Sequence, residues 1–164
     1  MIQDTDIKYR LSGGANNLIP DNSLGGDMSS TEAVDGDLNN LFDIVSGDES
    51  AAGCTEYRCM YALNSSNQTL YSAKIFVETQ TNSPTTEIEI GTDSIDTTTQ
   101  VIPDETTAPT GITFGEHYGK ANAIEIGDLG AGEKIAIWVK WIVNAGTIAV
   151  IDTATIRIVG DTDA

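Results

Sequence analysis

The chain has 164 residues, room for one domain with an appended segment. Its 8 Lys and Arg stand against 25 Asp and Glu, a formal charge of −17. Such a chain repels phosphate backbones at long range, which disfavours nucleic acid as a partner. The opening MIQDTDIKYR is acidic and polar, without the basic start and apolar core of a secretory signal, so synthesis in the cytoplasm is expected.

Residues 1–53 are rich in Gly, Asn, Asp and Ser and carry only short apolar groups. IKYRLSG predicts one strand, and NNLIPDNSLGG reads as turns punctuated by Pro20 and the Gly25–Gly26 pair. In DGDLNNLFDIVSGDESAAG, Leu38, Leu41, Phe42 and Val45 are spaced as one stripe of a short helical turn. Asp35 or Asp37 is its N-cap and Gly47 its stop. Ordering about 50 residues costs roughly 1–2 kcal/mol of backbone entropy each, and this region has too little apolar surface to offset that alone. It is expected to be an extended arm, residues 1–53, that lies on something else. Its anchors are the apolar groups isolated in polar sequence: Leu11, Leu18, Ile19, Leu24, Leu38, Leu41 and Phe42. A simpler alternative for residues 7–13 is an edge strand on the chain's own body, with the rest wrapping that body.

Residues 54–164 are regular. TEYRCMYALNSS alternates with Tyr57, Cys59, Tyr61 and Leu63 on one face, and LYSAKIFVETQ aligns Tyr71, Ala73, Ile75 and Val77. Joined by NSSNQ, these two are a hairpin or consecutive sandwich strands. TEIEIGTD turns Ile88 and Ile90 inward. Residues 94–121 are rich in Thr, Pro and Gly with one short strand candidate at GITF, and NAIEIGDL, IAIWVKWIV and TATIRIVGDT follow. In the Gly-bounded run DLGAGEKIAIWVKWIVNAG, Ile135, Ile137, Val139, Trp141 and Val143 form an apolar face. Lys134, Ala136, Trp138, Lys140 and Ile142 form a mixed one. Lysines and a glutamate interrupt this run, so it cannot span a membrane as a helix. Trp141 is predicted to be core; Trp138 is either half-covered by the arm or a contact with a partner. Short strands, frequent turn signals and almost no helical periodicity predict an all-β fold, an antiparallel Ig-like β-sandwich with an irregular N-terminal arm. The expected core is Ile75, Val77, Ile88, Ile124, Ile126, Ile137, Val139, Trp141, Ile156 and Ile158.

Chemistry is sparse. The single histidine, His117 in GEHYGK, has no Gly-x-Ser-x-Gly motif beside it. Acidic residues are so abundant that no pair of them singles out a glycosidase site. GDLGAG and LSGG lack the following Lys-Ser/Thr of a phosphate loop. Asp35, Asp37 and Asn39 have the spacing of a calcium loop, but Asn40 stands where Gly is needed and Ser46 where Glu is needed, so no metal is expected there. Cys54 and Cys59, five apart on a strand, point to opposite faces and are expected to be free thiols. Asn64 and Asn67 lie in N-x-S/T patterns and are read as turn residues. No catalytic residue, cofactor or metal is predicted, and the chain is read as a non-enzyme.

NNLIPDNSLGG and MSSTE, then NNLFDIVSGDESAAG and TEYRCMYALN, and finally IGDLGAGEKIAIWVKWIVNAG with TIRIVGDT, resemble the small Ig-like virion structural proteins of tailed bacteriophages. The SGDESAAG–TEYRC junction and the closing IRIVGDT are the most specific parts. The resemblance implies a capsid decoration, or cement, protein on the outer surface of the head. Its partners would be the major capsid protein and copies of itself, as a homo-oligomer on the particle, with Trp138 a further candidate contact. The competing readings are a tail, baseplate or fibre component, and a carbohydrate-binding adhesion module that uses Trp138 and the tyrosines as a stacking platform.

Overall fold

The computed structural model describes residues 1–146 and 151–162; positions 147–150 and 163–164 of the expected 54–164 body lie outside the described residues. Among the described residues nine strands fall in chain order. They are β1 (Ile7–Leu11), β2 (Gly25–Gly26), β3 (Cys54–Asn64), β4 (Leu70–Thr79), β5 (Thr86–Thr92), β6 (Thr99–Val101), β7 (Ile124–Leu129), β8 (Lys134–Val143) and β9 (Thr155–Asp161). One antiparallel sheet has the order β1-β3-β8-β5, a second β7-β4-β9, and β2 and β6 pair as a short ribbon. The long pairing of β3 with β8, from Cys54 opposite Val143 to Leu63 opposite Lys134, is the centre of the first sheet.

The core lies between the two larger sheets. Met60, Ala62, Ile88, Ile90, Ile135, Ile137 and Val139 of the first meet Ile75 and Val77 of the second, with Leu11 and Leu41 closing the edges. Of the expected core, Ile75, Val77, Ile88, Ile137 and Val139 are buried, while Ile124, Ile126, Trp141, Ile156 and Ile158 are half-buried against them. β3 and β4 are consecutive strands of different sheets, and the Asn64 side chain makes the corner. Its Nδ2 donates to the carbonyls of Gln68, Leu129 and Gly130, and its Oδ1 accepts from the Ser66 N–H and hydroxyl. This buried Asn is thus spent on the turn it was read into.

The opposite face of the first sheet is apolar too. Cys59, Tyr61, Ala136 and Trp138 are buried there beneath Ile102, with Leu24, Met28, Ile112 and Phe114 packed around them. The cover therefore comes from the N-terminal segment and from residues 99–114. The two tryptophans exchange their expected roles: Trp138 is 0% exposed and donates its indole N–H to Thr99 Oγ1 at 3.0 Å. Trp141 is half-buried at the end of the strand and stacks at a tilt on Phe42, with ring centroids 5.3 Å apart.

Much of residues 1–53 packs against the chain's own body. β1 pairs antiparallel with β3 as an edge strand, the simpler of the two readings. Beyond it, hydrogen bonds replace the missing apolar surface. The Ser23 carbonyl accepts from Cys59 N–H at 2.7 Å, the Gly26 carbonyl from the Tyr61 hydroxyl at 2.7 Å, and Ser12 Oγ from Gly25 N–H at 3.0 Å. Gly25 has φ +91°, and a Cβ there would lie 2.9 Å from the Trp138 ring and 1.9 Å from the Gln100 carbonyl. Only glycine gives both that backbone conformation and that approach.

The helix sits further along than expected. Residues 38–45 are a turn, a bend and irregular chain, and α1 spans Gly47–Ala52. Its start is a capping box: Ser46 Oγ accepts from Glu49 N–H at 3.2 Å while the Glu49 carboxylate accepts from Ser46 N–H at 2.6 Å. Gly47, expected as the stop, is the first helical residue.

Removing a large buried side chain loses its transfer energy and leaves a cavity, so Trp138→Ala should cost about 3–5 kcal/mol. Trp141→Ala should cost less, because part of that ring already meets water. Urea denaturation of both variants checks the order, and a larger loss at Trp141 would contradict the assignment of Trp138 to the second core.

Candidate functional site: a carboxylate cluster around Arg58

On the face of β3 that looks toward the second sheet, Glu56 and Arg58 occupy alternate positions at the end of the apolar row formed by Met60 and Ala62. Both charged residues are buried, Arg58 to 1% exposure and Glu56 to 4%. Two loops close over them. The turn segment before α1 brings Asp43, and the segment after β6 brings Glu105, whose carbonyl accepts from Tyr57 N–H at 2.7 Å. Arg58 Nη2 bonds Glu105 Oε2 and lies 3.7 Å from Asp43 Oδ1. The guanidinium also sits 5.7 Å over the Phe42 ring centroid, within cation–π range.

Glu56 does not share in these bonds. Among the described residues its Oε1 accepts only a weak contact from the Cys54 thiol at 3.8 Å, and its Oε2 is buried with no donor. Burial pushes the Glu56 carboxyl up to about 7, with Glu105, Asp43 and Glu49 adding repulsion and Arg58 pulling partly back. Burial, with the neighbouring carboxylates, raises the Cys54 thiol to about 11, and burial raises that of Cys59 further. Both cysteines are free. With such high thiol pKa values they have little of the thiolate that reactive cysteines use.

The expected partner-binding residues divide. Leu11, Leu41 and Trp138 are inside the chain's own cores, and Leu24 and Phe42 are half-buried against them, so these five are taken up internally rather than offered to a partner. The cause is the second apolar face of the sheet, which draws the isolated apolar groups of the N-terminal segment inward. Leu18, Ile19 and Leu38 stay outside, at 73%, 52% and 70% exposure. Val34 and Ile44, which the sequence reading passed over, are exposed beside them in the chain. Leu18 and Ile19 line an open depression of about 620 Å³ together with Gly13, Gly14, Ala15, Asn16, Asn17 and Asn22.

The calcium-loop spacing at Asp35, Asp37 and Asn39 lies on exposed turns; the carboxylates that converge are Asp43, Glu56 and Glu105. His117 is held by a bond between Nδ1 and the Asn122 carbonyl, 2.9 Å, within its own loop. Among the described residues no helix is long and apolar enough to cross a membrane. Compared with known proteins, the chain matches no family model, no curated sequence and no solved structure.

The Glu56 shift has a definite sign. The unfolded carboxyl titrates near 4.5 and the folded one near 7, so between those values the folded state holds a proton that the unfolded state has lost. Stability from this group is fully present below about 4.5, declines as pH rises to about 7, and is flat above. In metal-free buffer Glu56→Gln should match the parent near pH 4 and exceed it by about 2–3 kcal/mol at pH 8. Urea denaturation at the two pH values reads the difference, and a variant no more stable at the higher pH would refute the buried-carboxylate account.

Proposed function

We propose that this chain is a non-enzymatic structural protein of a tailed-phage virion, a decoration or cement protein that adheres to the outside of the major capsid lattice and stabilises the head. In this reading the sandwich is Ig-like, and copies of the chain meet one another on the particle. The observation that carries it is the set of large apolar side chains left in water by the N-terminal segment: Leu18, Ile19 and Leu38, with Val34 and Ile44. They stand on a chain of charge −17 and offer it an apolar contact surface that does not depend on the charge of the partner. The acidic surface suits an outward position and opposes one facing packaged DNA. The resemblance of the SGDESAAG–TEYRC and IRIVGDT segments to such proteins supports the particle assignment.

Burying one large aliphatic side chain contributes about 1.5–3 kcal/mol, or roughly tenfold or more in affinity. The combined variant Leu18→Ser, Ile19→Ser, Leu38→Ser changes exposed positions only, so it should fold normally. It should bind capsids that lack the protein at least about a hundredfold more weakly than the parent does. Undiminished decoration would remove the N-terminal segment as the attachment element, and no binding of the parent itself to capsids would overturn the particle reading.

A further inference from the structure

We propose that Asp43, Glu56 and Glu105 form a calcium site that clasps the N-terminal segment to the body. One carboxylate oxygen from each of the three lies within 4.8 Å of the others. They come from three stretches of chain: the turns before α1, the strand β3, and the loop after β6. Asp43 and Glu105 keep side-chain exposures of 52% and 37%, which leaves a path for an ion, while Glu56 forms the buried floor.

Charge counting favours a divalent ion. Three carboxylates face one guanidinium, a formal surplus of two negative charges, one of them on the buried Glu56. Arg58 cannot answer all three. It reaches Glu105 and Asp43 through Nη2 alone, its Nε and Nη1 have no acceptor, and it makes no bond to Glu56. Independently of the clustering, Glu56 Oε2 is a buried oxygen without any donor. A bare carboxylate oxygen at 4% exposure is costly unless something positive meets it.

The ligand set is all oxygen, which selects a hard cation. Ion size narrows it further. Three oxygens spread evenly around one ion stand up to about 4.5 Å apart at calcium's bond lengths of about 2.3–2.6 Å, and up to about 3.6 Å at magnesium's of about 2.0–2.1 Å. The three carboxylate oxygens lie within 4.8 Å of one another, so the wider calcium shell asks no more movement of the loops than magnesium's. Calcium also tolerates the irregular geometry that two loops and a strand provide, where magnesium demands near-octahedral order.

The site is independent of the particle assignment and is tested on the free, full-length chain. Thermal melts at about pH 8 are compared in chelator, in CaCl2, in MgCl2, and in NaCl of matched ionic strength, with calorimetric titration of calcium into the chain. Calcium at about a hundred times its dissociation constant should raise the melting temperature by roughly 5–10 °C, with a clearly smaller effect of magnesium. Glu56→Gln should abolish the calcium shift, and Asp43→Asn should weaken it. Glu116→Gln, an exposed acid outside the cluster, should keep it in full. Glu56→Gln removes a buried charge and is expected to fold at least as well as the parent in chelator, so loss of the shift cannot be put down to unfolding. No calcium shift in the parent, a shift that NaCl reproduces, or one that Glu56→Gln retains would overturn the proposal.

Discussion

The β3–β8 pair carries apolar side chains on both of its faces, and covering the second face is the constraint from which the rest of the architecture follows. An ordinary two-sheet sandwich leaves the outer face of each sheet to water, with polar residues alternating outward. Here Cys59, Tyr61, Ala136 and Trp138 occupy that outer face and are buried. The β7-β4-β9 sheet already fills the other side. The cover has to come from outside the two sheets, and residues 12–29 and 99–114 supply it. Trp138 is the pivot of this layer: Gly25 passes against its ring, Thr99 takes its indole proton, and Thr99 N–H in turn donates to the Tyr61 hydroxyl. The N-terminal segment therefore has a folded position despite its poverty in apolar residues. It contributes backbone carbonyls and a few aliphatic groups to a surface that brings the apolar area itself.

Much of the sandwich was legible in the sequence, because period-two alternation reports directly which side chains share a face. The reading of DLGAGEKIAIWVKWIVNAG also anticipated that something else covers the mixed face. It left Trp138 either half-covered or a partner contact, on a face that also carries Lys134 and Lys140. Both lysines lie near the ends of the covered zone. Lys134 reaches over the Tyr61 ring at 5.7 Å, and Lys140 turns to Glu89 at 2.8 Å, so the ring between them is free to be buried. Trp141, on the uniformly apolar face, sits where the sandwich opens, and Phe42 shields only part of it. Alternation assigns a face; it does not say how far along the strand the cover extends. The helix was missed for a different reason. The Leu38–Val45 stripe is real, but a Ser-x-x-Glu box begins one residue after it, and a capped start outweighs a stripe with neither cap nor length.

The carboxylate cluster was not legible. Glu56 and Arg58 alternate with Tyr57 and Cys59 in TEYRC, and a charged row opposite an aromatic row reads as the solvent side of a strand. Their burial depends on Asp43 and Glu105, which lie in stretches whose sequences carry no periodic signal, and nothing local announces that these loops fold over the strand end. Removing one partner from a buried charged group leaves the other uncompensated, while the assembled group confers position more reliably than net stability. That suits a role in which Arg58 and its acids fix where two irregular loops sit.

That position matters for what lies beside it. Within one stretch of turns, Leu41 and Phe42 point into the core, Asp43 reaches the cluster, and Leu38 and Ile44 stand in water. The same short run of residues that brings Asp43 to Arg58 also presents Leu38 and Ile44 outward. Most of the chain's surplus acids are exposed, and salt screens them over about 8–10 Å. Glu56, at 4% exposure, is screened far less. It is the part of a charge of −17 whose protonation bears on this particular stretch of surface rather than on the molecule at large.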